Sequence, residues 1–359
     1  MIGFDEFGPE KMIEVYDPKV KMNGFLVIDN TVNGPGKGGI RMTPSVTMEE
    51  VHRLARAMTW KNALAELPFG GAKSGIIYNN SANKHILIKS FAKSIKQFIP
   101  DSYIAGPDVN TGENEMALIV EELKNKKACT GKPKKMGGLP HELGSTGFGV
   151  AHSTIVAIEH LNMNINDTTV AIEGFGNVGT FTMKFLSEWG AKIIAVSDSK
   201  GVIYNENGLS YEELIKIKNQ TSSVINYKPG RLLSNKDIFE LDLDVLIPSA
   251  LPDVIDKNNV GKIKAKIIVE AANIPMTEEM ETLLYKKNVL IVPDFAANAG
   301  GVISSYAEYS DKGEEEMFRM IETKITKNVR LVLENSKNKK IKPRDAALEI
   351  AKERVKKNY

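Results

Sequence analysis

The sequence predicts an α/β protein built as two domains. Three observations carry that prediction. The chain has 359 residues, long for one core. Its second half alternates short, β-branched apolar runs with helical segments, the pattern of a doubly wound parallel sheet. Within that half, a strand-like run from Thr168 to Ile172 leads straight into Glu173-Gly174-Phe175-Gly176-Asn177-Val178-Gly179 and then a helix.

Taken in order, Gly24 to Asp29 reads as a strand. Thr47-Met48-Glu49-Glu50 has capping-box spacing and starts a helix with Val51, Leu54, Ala55 and Met58 on one stripe. Lys61 extends the stripe, and spacing alone leaves two options: snorkelling out at the helix end, or pointing into a cleft. A helix is expected from Asn83 to Phe98, before Pro100. Tyr103 to Gly106 reads as a short strand entering Pro107-Asp108-Val109-Asn110-Thr111-Gly112, and Glu113 to Lys126 as a helix. Lys132 to Gly138, rich in Lys, Pro and Gly, is the predicted linker. Beyond it, Asn177 to Trp189 reads as a helix. Lys192 to Asp198, Val245 to Ile247, Ile267 to Val269 and Val289 to Val292 read as strands.

Composition narrows the function classes. With 47 basic and 45 acidic residues, the net charge of +2 gives no global attraction to nucleic acid or to an anionic membrane. The lysines of 337–342 and 352–357 alternate with apolar residues and read as a solvated helix face. Cys129 is the only cysteine, so no intramolecular disulfide can form and a cytoplasmic location is expected. Met1 to Asp17 is acidic and lacks an apolar core, so it is not read as a secretory signal. No apolar run reaches the roughly 18 residues of a membrane span. His52, His85, His141, His152 and His160 have no metal-site spacing, and His141-Glu142 reads as an exposed loop pair, so no metal is expected. Walker A and GxSxG motifs are absent.

The glycines of the strand–helix turn each have a physical task. Gly174 permits the tight turn, Gly176 lets the backbone approach a pyrophosphate, and Gly179 lets helix and strand pack closely. A Rossmann-type dinucleotide site follows, with Asp198 at the end of the next strand where a ribose-binding acid is expected. Asp198 suggests NAD, since a carboxylate repels a 2′-phosphate. Ser197, Ser199 and Lys200 around it could hold that phosphate, so NAD and NADP both remain open. In the first half, Lys37 and Lys73 are each flanked by a glycine pair, Gly38-Gly39 and Gly70-Gly71. Lysines in glycine turns suggest an anion-binding cleft.

The segments GPGKGGIR, MTWKNAL, LPFGGAKSG, AGPDVNTGENEM, STGFGV, EGFGNVG, EAANIPMT and ANAGGVISSYAE, in this order, resemble the glutamate/leucine/phenylalanine/valine dehydrogenases over nearly the whole chain. The resemblance implies a substrate-binding domain over 1–142, with 344–359 packing back on it, and a Rossmann NAD(P)-binding domain over 143–343, with a cleft that closes for chemistry. It implies that Lys61 holds the α-carboxylate, that Lys73 is the catalytic lysine and that Asp108 is the acid/base. Lys37, helped by Ser305, would meet a distal carboxylate. Thr146 and Asn298 would lie near the nicotinamide amide, Asn177 near the cofactor's phosphates or ribose, and Asn273 in a cofactor- and substrate-facing loop.

The chemistry fits these residue types. Hydride leaves the α-carbon, water attacks the resulting imine and ammonia departs. A lysine crowded by cations and desolvated has a lowered pKa and can polarise that water. Members acting on branched-chain or aromatic amino acids place apolar residues where Lys37 and Ser305 stand, and a buried lysine facing an isobutyl group would go unpaired. L-glutamate, 2-oxoglutarate and ammonium are therefore the expected ligands, with a leucine/valine-type enzyme as the alternative. A catalytically silent regulatory subunit is a further alternative, disfavoured by the retention of Lys61, Lys73 and Asp108. A homo-oligomer, hexameric by resemblance, is expected. Three features depart from the pattern: Ser74 replaces a usual glycine, the N-terminal part is short, and Leu139 to Leu143 replaces a stretch usually bearing glycine and arginine.

Overall fold

A computed structural model describes residues 3–80, 83–140 and 143–358; His141-Glu142 lies outside the described residues. The chain divides into two compact units. The first is Met1–Leu143 with Val302–Met320 and Ile350–Tyr359; the second is Gly144–Gly301 with Ile321–Glu349.

The first unit opens with strands β1 (Lys11–Asp17), β2 (Met22–Asn30) and β3 (Gly36–Thr43), helix α1 (Met48–Leu64) and strand β4 (Gly70–Ile77). Helix α2 (Lys84–Ser94), strand β5 (Tyr103–Pro107) and helix α3 (Glu113–Leu123) follow. The strands form one sheet in the order β1-β2-β4-β3-β5, with β3 parallel to both β4 and β5. The pleat sends alternate residues of β2 to opposite faces. Leu26 and Ile28 join the core with Phe91 and Met116, whereas Phe25 and Val27 join Val51 and Ala55 of α1. Thr47 caps α1 by accepting from the Glu50 amide, but the Glu50 carboxylate pairs with Arg41 instead of closing the capping box.

The expectation that Lys37 and Lys73 sit in glycine turns is corrected: both lie on strands, β3 and β4. The glycines there permit close approach. A Cβ at Gly38 would stand 1.7 Å from the Ala72 carbonyl oxygen, and one at Gly71 would stand 2.1 Å from Thr59 Oγ1 on α1.

The second unit runs α4 (Ser145–His160), β6 (Thr169–Glu173), α5 (Asn177–Glu188), β7 (Lys192–Asp198), β8 (Gly201–Tyr204), α6 (Tyr211–Thr221), β9 (Arg231–Leu233), β10 (Val245–Pro248), β11 (Ile267–Val269), α7 (Glu278–Lys286), β12 (Leu290–Val292) and α8 (Asp294–Ala297). Its sheet has the order β12-β11-β10-β6-β7-β8-β9. β12 through β7 are mutually parallel, and β8 and β9 add an antiparallel edge. Among the described residues, no helix is long and apolar enough to cross a membrane.

Three helices close the chain: α9 (Gly300–Tyr309), α10 (Glu314–Lys339) and α11 (Pro343–Lys356). Here the observed units differ from the division 1–142 plus 344–359 against 143–343. Most of α9 groups with the first unit, because Glu308 accepts from the Gly131 and Leu139 amides and Tyr306 and Tyr309 pack edge-on against Phe69. The start of α11 groups with the second, because Arg344 pairs with Glu270, Glu281 and Asp294. Its last turns group with the first, where Arg354 donates to the Leu64 carbonyl and pairs with Glu66. The predicted linker, Lys132 to Gly138, is a folded loop of the first unit with a 3-10 turn at Lys134–Met136.

Candidate active site

In the first unit, β3, β4 and β5 bring three of the predicted residues into one neighbourhood. Lys37 stands opposite Gly71 of β4 and Ile104 of β5. Lys73 follows on β4, and Asp108 comes directly after β5. The Lys73 ammonium lies 3.0 Å from the Asp108 carboxylate, which also accepts from Arg41 Nε at 3.1 Å. Burial pushes the Asp108 carboxyl up, but the Lys73 and Arg41 charges outweigh it and hold it below the usual carboxylate range. The turn carrying Asp108 is stitched to β3. The Asp108 amide donates to Thr111 Oγ1, which donates to the Ile40 carbonyl, and Asn110 Nδ2 donates to the Met42 carbonyl. Gly39 allows this approach, since a Cβ there would meet Asp108 Cβ at 2.8 Å.

Lys37 is 3% exposed. Its ammonium donates to the Ala105 carbonyl at 2.8 Å and, at 3.5 Å, to that of Ile104. Burial pushes its pKa down to about 7; the fields of Cys129 and Glu308 raise it, and those of Lys73 and Lys132 lower it further. Lys61 occupies the last turn of α1, half-buried. Ser305 lies on α9, also half-buried. Ser74 is fully buried on β4, opposite Ile40 and beside the Tyr103 phenol.

In the second unit, backbone geometry requires glycine at two positions of the β6–α5 turn. Gly174 has φ +98°, in the region that favours glycine. A Cβ at Gly179 would fall 2.0 Å from the Gly174 carbonyl oxygen, so no side chain fits there. A Cβ at Gly176 would meet nothing within 4 Å. Space is therefore open at the glycine where a pyrophosphate would approach, beside exposed Asn177 and half-buried Val178 at the start of α5. These residues fit a dinucleotide at the positive end of the helix.

Asn298 Nδ2 donates to Asn273 Oδ1 at 3.1 Å and to the Ala271 carbonyl at 3.2 Å, so these two asparagines are brought together. Thr146 lies beside Gly301, three residues after Asn298: a Cβ at Gly301 would stand 3.0 Å from Thr146 Oγ1. Asp198 ends β7 as expected but is largely occupied by its own chain. It accepts from the Lys200 and Val224 amides and from Ser223 Oγ, and Lys218 Nζ stands 3.6 Å away. Burial raises the Asp198 carboxyl, and these donors more than reverse that.

The sequence reading gives no site role to Arg41, Lys132 or Glu308, and reads Glu50 only as part of a capping box. Arg41 is visible inside GPGKGGIR and Glu308 inside ISSYAE. What no sequence signal carries is that Glu308 would be buried against Lys132.

Fold and side chains together define a nicotinamide-dependent oxidoreductase of two α/β units. The sequence signature of Glutamate/Leucine/Phenylalanine/Valine dehydrogenase matches residues 137–359, and that of the Glu/Leu/Phe/Val dehydrogenase dimerisation domain matches residues 9–125. The chain belongs to this family and is an amino-acid dehydrogenase using NAD or NADP. It is 40% identical to a glutamate dehydrogenase of Aeropyrum pernix, over 99% of this chain and 93% of that one. It is 36% identical to an NADP-specific glutamate dehydrogenase of Saccharolobus shibatae, over 92% of this chain and 84% of the relative. Among solved structures, the hetero-hexameric glutamate dehydrogenase of Thermus thermophilus in a leucine-bound form superposes with a TM-score of 0.86. It is 27% identical and is matched over 98% of this chain and 89% of that one.

Proposed function

We propose that this chain catalyses the reversible oxidative deamination of L-glutamate to 2-oxoglutarate and ammonia. The observation that carries the choice of substrate is Lys37, a buried ammonium bonded to carbonyl oxygens. A substrate with a distal carboxylate supplies the counter-charge; an apolar side chain would leave the cation desolvated and unpaired. Ser305 adds a hydroxyl donor to the same carboxylate, and Lys61 takes the α-carboxylate.

NAD or NADP, when bound, accepts the hydride from the α-carbon. Gly174, Gly176, Asn177, Val178, Gly179 and Asp198 would hold its adenosine and pyrophosphate side. Thr146, Asn273 and Asn298 would face its amide. Lys73 orients and polarises the water that attacks the imine carbon, and Asp108 exchanges protons with the amino group. Their contact lets a proton taken at one site be shared with the other. The first unit would bind the substrate and the second the nucleotide. A homo-oligomer of six subunits, the number but not the composition of the Thermus hetero-hexamer, and a cytoplasmic location suited to the free, buried Cys129 thiol complete the proposal.

The test is nicotinamide absorbance with glutamate, leucine and phenylalanine, using both cofactors, for the native chain and for Lys37→Leu/Ser305→Val. Native turnover should favour glutamate. The double variant should lose at least about 30-fold in kcat/KM for glutamate, the equivalent of ~2 kcal/mol, and gain on leucine. Intact glutamate turnover in the variant would refute the assignment.

A further inference from the structure

The carboxylate of Glu308 is 4% exposed yet richly bonded. It accepts from the Gly131 amide at 3.0 Å, the Leu139 amide at 2.9 Å and the Lys132 amide at 3.4 Å, and it pairs with the Lys132 ammonium. These donors come from both ends of the loop of residues 131–139, which follows α3. The loop is closed on itself: the Gly138 amide donates to the Pro133 carbonyl, and a Cβ at Gly138 would overlap the Lys132 carbonyl oxygen at 1.6 Å. One end of this loop reaches the acceptor of Lys37. Lys132 Nζ also donates to the Cys129 carbonyl, and the next amide, Thr130, donates to the same Ala105 carbonyl that holds Lys37. Glu308 itself sits one helical turn after Ser305 on α9. Phe69, the residue before β4, meets Tyr306 and Tyr309 on the same helix.

We infer that Glu308 is a positioning residue for the pocket that takes the substrate's distal carboxylate, fixing the helix of Ser305 against the loop that frames Lys37. The inference rests on the reading that Lys37 and Ser305 receive that carboxylate. A lysine–glutamate pair buried here is costly to assemble and is strongly destabilised when one partner is removed. Its return is geometric: two elements far apart in sequence are held at one spacing. Glu308 also faces Lys37 electrostatically and favours its charged form.

The test compares glutamate with L-norvaline, which has the same carbon chain but a methyl group in place of the distal carboxylate. Glu308→Gln keeps an acceptor oxygen but loses the charge and the contacts of its other oxygen, since the Gly131 and Leu139 amides share one and the Lys132 amide and ammonium the other. The ratio of kcat/KM for glutamate to that for norvaline should fall about tenfold, the size of a lost charge-assisted hydrogen bond. The fall should come from KM for glutamate. A merely structural role would lower both substrates together and leave the ratio unchanged, and that result would overturn the inference. Lys37→Leu is measured in parallel. If it lowers the ratio while Glu308→Gln does not, the inference alone fails; if neither lowers it, the substrate reading fails first. Should Glu308→Gln not fold, Lys132→Gln, which spares the backbone amide bonds to Glu308, must lower the same ratio, and an unchanged ratio there would equally overturn the inference.

Discussion

The two units bury surplus charge of opposite sign and settle it in different ways. In the first, Lys73 and Arg41 share Asp108, and Lys132 has Glu308. Lys37 is bonded to backbone carbonyls, and its pKa is pushed down to about 7. In the second unit, Glu270, Glu281 and Asp294 converge on the single guanidinium of Arg344. Burial pushes Glu270 up to about 8 despite Arg344, and the nearby Asp294 and Glu281 charges add to the rise, so a proton settles the surplus there at neutral pH. The difference separates scaffold from site. Where the chain supplies the opposite charge from its own side chains, the cluster holds elements together. Where it supplies only carbonyls, as at Lys37, the proposed substrate's carboxylate would complete the set.

The largest break of this comparison should come at the first unit's pair. Lys73→Ala leaves Asp108 to Arg41 and is expected to lower kcat about 10²–10⁴-fold, with nucleotide affinity unchanged. Steady-state absorbance and nucleotide titration read the two quantities separately. A variant with native kcat would take Lys73 out of the chemistry.

In the second unit the corresponding loss is in stability. Arg344→Met strands buried carboxylates and should cost about 3–5 kcal/mol of unfolding free energy, read as a shift of the denaturant transition. A shift worth less than about 1 kcal/mol would mean the cluster is not the scaffold described here. Both losses come from removing one cation. The comparison predicts that the first acts on turnover and the second on folding.

What could be read from the sequence divides along the same line. The β6–α5 turn is legible at Gly174 and Gly179, because what requires glycine there lies within a few positions in the chain. Strand β7 falls at Lys192–Asp198, where the apolar run placed it. The glycine pairs beside Lys37 and Lys73 were misread as turns, because the Ala72 carbonyl and Thr59 that require them are set by strand pairing and helix docking. Residues 302–320 group with the first unit for a similar reason: Glu308 and its partner Lys132 are 176 residues apart. Strands β8 and β9 escaped notice because each is short and they form the sheet's edge. The turn at Ser223 and Val224 that engages Asp198 is likewise distant in the chain.

A smaller effect sharpens the second half of the comparison. Glu270 has a folded pKa of about 8 against an ordinary value of 4.5. The folded state therefore keeps a proton that the unfolded chain releases. The stabilisation is complete below pH 4.5 and is lost as pH rises through about 8. Glu270→Gln should flatten this decline, a difference on the order of 1 kcal/mol or more across the window. Thermal unfolding from pH 5 to pH 9 measures it. An identical decline in the variant would place the titration elsewhere.

The first half of the comparison rests on Lys37 awaiting a carboxylate. Calorimetric titration with glutarate, a dicarboxylate with no amino group, in two buffers of different ionisation enthalpy at pH 8 reads that directly. Lys37 is mostly neutral in the free chain at that pH, because its pKa lies near 7. A bound carboxylate raises that pKa, so binding should draw about one proton per site from solution, and Lys37→Met should weaken binding and abolish the uptake. Tight binding with no proton taken up, or a Lys37→Met variant that binds and takes up protons like the native chain, would contradict the account.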